Sequence, residues 1–224
     1  MPILNLKRFN EFIRHVKFQM EEIKWIRDWL KLFSFCAGLD LKEMQDRGVD
    51  EGYVGNVVDE PALHLIDEIQ QSSKPAIGKI NGFCFTGALE LALSFDFIIA
   101  AEEAKLGDTH AKWGLRPTWG MSARLADAVG VRKARELSFT ARTFTGVEAA
   151  DWGLANRAVP LAELDSAVKE LTDGITSCSQ GSVAAFKDLY NHFLTGSVDD
   201  ALQYETNTEY EIKDTAERLG DFAK

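Results

Sequence analysis

The sequence predicts an α/β protein with an all-helical C-terminal part. Three observations predict it. Residues 76–80 and 97–101 are short apolar strand-like runs that flank a helical run, the order of a βαβ unit with a parallel pair. Beyond about residue 160 the apolar residues fall three and four apart. The chain has 224 residues, 46% of them hydrophobic, enough for one real core.

The elements follow in order. Phe9, Phe12, Ile13, Val16, Met20, Ile23, Ile26 and Leu30 space out a long amphipathic helix over residues 1–33. Glu11, Glu21, Glu22 and Asp28 set it apart from an acid-poor transit peptide. Phe35-Cys36-Ala37-Gly38-Leu39-Asp40-Leu41-Lys42-Glu43-Met44 places small residues before an acid, which reads as a strand ending in a tight turn or as a plain turn. Residues 48–60 are polar and glycine-bearing, a surface loop. Leu63, Ile66 and Ile69 mark a short helix from Ala62 to Gln71. Lys74-Pro75 opens the strand Ala76–Ile80, and Asn81-Gly82 turns the chain.

Thr86 stands where a cap belongs for a helix from Gly87 to about Ser94, and Phe97–Ala101 follows as a buried strand. Helices are expected over 122–129 and 132–139. A third is capped by Thr145 and ended by Gly153. Leu154–Val159 reads as a short strand before Pro160. Leu164, Val168 and Leu171, then Val183, Phe186, Tyr190 and Phe193, space out the tail helices. Ser197, with Asp199 and Asp200 behind it, starts another.

A net charge of −10 argues against a nucleic-acid surface, which is basic. No apolar run reaches the roughly 18 residues of a membrane span. Cys36, Cys84 and Cys178 form no CxxC pair and point to a reducing compartment, cytoplasmic or, as the alternative, the mitochondrial matrix. The C-terminal residues do not spell a peroxisomal address. His15, His64, His110 and His192 lack metal-ligand spacing, so no metal site is expected. No glycine-rich phosphate loop is present, and Gly120-Met121-Ser122-Ala123-Arg124 is not a nucleophile elbow.

Glu90 is the odd residue. Ala88, Leu89, Leu91, Ala92, Leu93 and Phe95 surround it, the composition of a helix buried all round. A carboxylate there is costly unless partnered or protonated, and burial raises its pKa towards the range useful for proton transfer. The other reading is a glutamate at the helix's open end that reaches solvent or caps a neighbour. Gly87, three residues earlier, lies in the first turn, where amides are unpaired and a ligand oxygen can approach closely. One amide for an oxyanion and one carboxyl for a proton make a compact catalytic pair.

Together, FCAGLDLKEM and KPAIGKINGFCFTGALELALSFDFIIAAEEAKLGDTHAKWGL resemble the enoyl-CoA hydratase/isomerase (crotonase) superfamily. RPTWGMSARL and VGVRKARELSFTARTFTGVEAADWGLANRAVP extend the resemblance, which runs from about residue 35 to the C-terminus. It implies a crotonase-like ββα spiral core over 34–160, a helical oligomerisation region over 161–224 and an atypical helical segment over 1–33. It implies that the amides of Leu39 and Gly87 hold a thioester oxygen and that Glu90 is the principal acid/base. It assigns Ala37, Leu39, Asp40, Leu41, Lys42 and Gly87 to substrate binding.

The implied substrate is an acyl-CoA thioester. The implied assembly is a homotrimer or a dimer of trimers, with no nucleic-acid or membrane partner. No separate cofactor is implied, since coenzyme A arrives as part of the substrate.

Two departures stand out. Hydratases of the family carry a second glutamate twenty positions after the first. Here Gly107-Asp108-Thr109-His110 puts His110 there. As a neutral imidazole His110 suits holding a water, the other reading being a polar loop residue, and Asp108 is the weaker substitute. The family's opening strand pair is also missing from residues 1–33. Trp113 and Trp119 flank Pro117 and either shape the acyl site or pack in the core. The expected reaction is hydration of a 2-enoyl-CoA. The alternatives are another thioester-enolate reaction (decarboxylation or isomerisation) or a truncated, non-catalytic acyl-CoA-binding subunit.

Overall fold

A computed structural model describes Gly38, residues 40–46 and residues 51–222. The helix expected over 1–33, the run into Phe35, and Ala37 and Leu39 lie outside the described residues.

Two small three-stranded sheets share the chain. Branched residues in β1 (Ile77–Ile80) and β3 (Phe97–Ala101) pair in parallel, from Ile77 opposite Phe97 to Ile80 opposite Ala100. β6 (Arg157–Val159) joins the far side of β3, also in parallel. The second sheet has the order β2 (Phe83–Phe85), β4 (Lys105–Gly107), β5 (Phe144–Thr145). There β2 and β4 run parallel and β5 antiparallel. The chain thus gives one strand to each sheet in turn: β1 then β2, and β3 then β4. A helix, α3 (Gly87–Ala92), joins the two turns. This alternation is the expected ββα spiral.

The other helices are α1 (Leu41–Asp46), α2 (Asn56–Gln71), α4 (Met121–Val129), α5 (Val131–Thr140), α6 (Gly146–Asp151), α7 (Leu164–Ser177), α8 (Gln180–Phe193), α9 (Val198–Asn207) and α10 (Thr215–Phe222). The main core gathers Ile80, Leu89, Ile99, Leu106, Leu125, Leu137 and Phe144, and Leu164 and Ala167 of α7 join it. A second cluster packs Val58, Leu65, Ile66 and Ile69 of α2 against Met44, Leu91 and Trp119. Helix α3 lies between them: Leu89 faces the first cluster and Leu91 the second.

Several boundaries differ from expectation. Helix α2 starts at Asn56, inside the expected loop, with Pro61 within it. Proline removes a helical hydrogen bond at a cost of about 3 kcal/mol. Burying Val58, Leu65, Ile66 and Ile69, each worth about 1.5–3 kcal/mol, outweighs it. Helix α3 ends at Ala92 instead of Ser94, whose hydroxyl turns back to donate to the Leu91 carbonyl. Thr86 precedes α3 but does not cap it through its side chain. Strands β2, β4 and β5 were not anticipated, being too short to show a period.

Strand β6 starts at Arg157, because the Leu154 and Ala155 amides both donate to the Ala149 carbonyl and close α6. Thr145 and Ser197 do cap α6 and α9, each in a capping box, with Glu148 and Asp200.

Lys187 ties the tail to the core. Its buried ammonium donates to the Ile69 carbonyl, the Lys74 carbonyl and Asp96 Oδ2, each at 2.9 Å. Among the described residues, no helix is long and apolar enough to cross a membrane.

Candidate active site

Parallel pairing of β2 and β4 aligns Phe85 with Gly107, so both strands release their chains at the same edge. In α/β folds, crevices at the carboxyl ends of strands are where ligands collect. From β2 the chain passes through Thr86 into α3 and Glu90. From β4 it passes through Asp108 and Thr109 to His110. Thr86 joins the two paths: its amide donates to the Gly107 carbonyl at 2.9 Å, and its hydroxyl meets that of Thr109. Thr86 adopts φ 55°, a left-handed conformation unusual for a β-branched residue. Such strain persists only where the surroundings impose it.

Glu90 is 2% exposed. Its Oε1 accepts from the amides of Trp119 (2.9 Å) and Met121 (3.2 Å), at the start of α4. Its Oε2 lies 3.5 Å from His110 Nε2. Of the two sequence readings of Glu90, solvent exposure is excluded: one oxygen accepts the two amides at the start of α4, and the other faces His110. Burial pushes the Glu90 carboxyl up, against the pull of His110 and the two amides.

His110 is buried, and Asp108 holds it. Asp108 Oδ1 lies 2.7 Å from His110 Nδ1 and accepts the His110 amide at 3.2 Å. Burial raises the Asp108 carboxyl, but hydrogen bonds from His110 and Ser138 prevail and keep it below the usual aspartate range. The sequence offers Asp108 only as a weaker stand-in for the absent second glutamate. Its place is behind the histidine, and the one signal for that was an acid two residues before an imidazole.

Gly87 opens α3 ahead of its first ladder hydrogen bond, from the Glu90 amide to the Thr86 carbonyl. A Cβ at Gly87 would come within 2.6 Å of the Trp119 indole. Trp119 is 4% exposed and belongs to the second core cluster, yet it also lines the site. Its Nε1 donates to Asp59 Oδ1 at 2.7 Å, as the Thr118 hydroxyl does at 2.8 Å. Asp59, buried on α2, was missed because its segment reads as loop. Trp113, by contrast, is 52% exposed, with Lys112 over its ring.

One cavity of about 520 Å³ is lined by Gly87, Glu90, His110, Trp113 and Trp119, and also by Asp40, Leu41 and Lys42. Asp40 starts α1, its carbonyl accepting the Met44 amide and its Oδ1 the Lys42 amide. Gly38, at φ 93°, sits against the Phe85 carbonyl and so brings the first motif beside the second. Ala37 and Leu39 fall outside the described residues. A larger cavity of about 850 Å³ lies under α7 and α8 and takes none of the expected site residues.

Residues 33–220 match the family model described as enoyl-CoA hydratase/isomerase. The chain is 36% identical over 172 residues to a probable peroxisomal enoyl-CoA hydratase 1 of Arabidopsis thaliana, covering 77% of this chain and 63% of that protein. It is 34% identical over 172 residues to a probable mitochondrial enoyl-CoA hydratase of Dictyostelium discoideum, covering 77% and 60%. It therefore spans about three-fifths of the length of these curated relatives. The crystal structure of an enoyl-CoA hydratase from Bacillus anthracis superposes with a TM-score of 0.83 at 30% identity, covering 98% of this chain and 86% of that one. With the family model matched over residues 33–220, the chain belongs to the enoyl-CoA hydratase/isomerase family.

Proposed function

We propose that this chain adds water across the double bond of a 2-enoyl-CoA. The observation that carries the reading is the approach of Glu90 Oε2 to within 3.5 Å of His110 Nε2, in the cavity that Gly87 also lines. Glu90 is the principal acid/base and His110 holds the water. The thioester oxygen sits against the Gly87 amide, with the Leu39 amide as its second donor. Negative charge developing on that oxygen meets the amides at the start of α3, where it is best stabilised.

Asp40, Leu41 and Lys42 contact the coenzyme A portion near the mouth, and Ala37 belongs to the same binding run. Water supplies both the hydroxyl and the proton, so the reaction needs no metal or redox group.

The homologous relatives named as hydratases support this reading. We take the working unit to be a homotrimer or a dimer of trimers built through the tail helices. Phe186, Tyr190, Phe193, Leu202 and Leu219 expose apolar surface there. A cytoplasmic or matrix setting fits the free thiols of Cys84 and Cys178.

The test is hydration of crotonyl-CoA by the purified protein, followed as loss of enoyl-thioester absorbance. Turnover by the wild type that disappears in Glu90→Gln supports the reading. No turnover, or turnover that survives the substitution, removes it.

A further inference from the structure

The site holds one buried carboxylate that the hydration reading does not use. Asp108 is 2% exposed, and a single oxygen, Oδ1, faces both the ring and the main-chain amide of His110. Ser138, on α5, bonds to the same side chain and anchors it to a helix of the main core. A neutral imidazole has one N–H and one bare nitrogen, and the partner of one nitrogen decides which is which. A carboxylate 2.7 Å from Nδ1 accepts only an N–H there. Nε2 is then left as an acceptor, and it points across 3.5 Å to Glu90 Oε2.

We propose that Asp108 is a positioning residue: it fixes His110 as the Nδ1–H form, so that Nε2 stays bare to accept the proton of the attacking water. The proposal rests on the hydration reading above.

The cycle closes without another reactant. The water O–H bond breaks, its proton goes to Nε2, and its oxygen bonds to the β carbon of the enoyl group. The double-bond electrons move to the thioester oxygen as an enolate. The Glu90 carboxyl gives its proton to the α carbon as the carbonyl reforms. His110 now carries one proton too many and Glu90 one too few. Nε2–H passes its proton to Oε2 across the gap that separates them, and the site is reset. A lone histidine without Asp108 would spend part of its time with the proton on Nε2, where it cannot accept from water.

A merely structural Asp108, closing the turn through the His110 amide, predicts something different, and two measurements separate the cases. In long-range ¹H–¹⁵N spectra of histidine-labelled protein, with His110→Asn for assignment, the free wild type should show Nδ1 protonated and Nε2 bare at mildly alkaline pH. A proton resident on Nε2 overturns the proposal.

In crotonyl-CoA hydration, Asp108→Asn should lower kcat about 10²-fold with KM within about threefold, the scale of a lost proton-transfer partner. In the His110→Glu background, where a carboxylate has no tautomer to fix, the same substitution should cost less than about threefold. Equal losses in both backgrounds make Asp108 structural and sink the proposal. A wild type that hydrates nothing overturns the hydration reading instead. The spectrum then still decides the positioning, Nδ1–H supporting it and Nε2–H overturning it.

Discussion

At the carboxyl ends of β2 and β4, Glu90, Asp108 and His110 are each at most 7% exposed, and each meets a named partner inside the chain. Along α8 and α9 the reverse holds. Phe186, Tyr190 and Leu202 are more than half exposed, although they are the residues a core would take. In the first region the ionisable groups find hydrogen-bond partners within one chain. The second leaves apolar surface that is exposed among the described residues. Buried polar groups are expensive unless satisfied, so a chain that places three ionisable groups together also supplies their partners. Exposed apolar groups cost a monomer little, so folding alone does not require that they be covered.

The largest way to break this contrast is at Glu90. Glu90→Gln keeps the shape and can keep accepting from the Trp119 and Met121 amides, so the fold should stand. On the proposed reaction the proton-transfer group is then gone, and kcat for crotonyl-CoA should fall about 10³-fold. A loss below tenfold would mean that the buried network is only structural.

Next comes the joint between the two regions. Lys187 donates to two carbonyls and to Asp96, whose side chain is 24% exposed. Lys187→Met strands those acceptors, and Asp96 keeps only part of its hydration. We expect a loss of about 2–3 kcal/mol in urea unfolding, below the 3–5 of a fully buried pair. A loss under about 1 kcal/mol would show that the tail is held by other contacts.

A third measurement sharpens the view inside the site, because its two carboxyls are shifted in opposite directions. Glu90 is raised, chiefly by burial, so it holds its proton more tightly folded than unfolded. Its contribution is full below the ordinary glutamate range and is lost as pH rises through the folded value. Asp108 is lowered, burial being overcome by the bonds from His110 and Ser138. Its contribution is present above the ordinary aspartate range and lost as pH falls through its folded value. Thermal unfolding across pH should therefore show Glu90→Gln gaining on the wild type as pH rises, and Asp108→Asn gaining as pH falls. The same trend in both variants would contradict the assignment of opposite environments.

The residues differ in how much of this they reveal. Glu90 announces itself because a helix apolar all round has no ordinary use for a carboxylate. The helices from Met121 onward are legible from period and caps, Thr145 and Ser197 above all. Strands β2 and β4 are not, since three residues cannot display an alternation of two, and it is their register that brings His110 to Glu90. The positions of Asp108 and Asp59 are hidden for another reason. Asp59 acts on Trp119, distant in sequence, and a proline at position 61 disguises the helix that carries it; Asp108 acts on a near neighbour, but tertiary packing decides that this neighbour faces Glu90.

The smallest expected effect on the chain itself concerns the tail. Phe186→Glu and Leu202→Glu alter side chains already 59% and 58% exposed. Substitutions at such positions shift the stability of an isolated chain by about 0.5 kcal/mol or less. If the tail helices form the interface of a trimer, these same residues are buried in the assembly, and a carboxylate on each would be desolvated against apolar neighbours. The signature is therefore a large change in mass by size-exclusion with light scattering, alongside nearly unchanged unfolding of the dissociated chain. A wild type that is already monomeric would leave no interface to place, and variants that keep the trimer mass would place it elsewhere. Either result would leave the exposed apolar residues of α8 and α9 as plain surface and remove the contrast between the self-sufficient site and the unfinished tail.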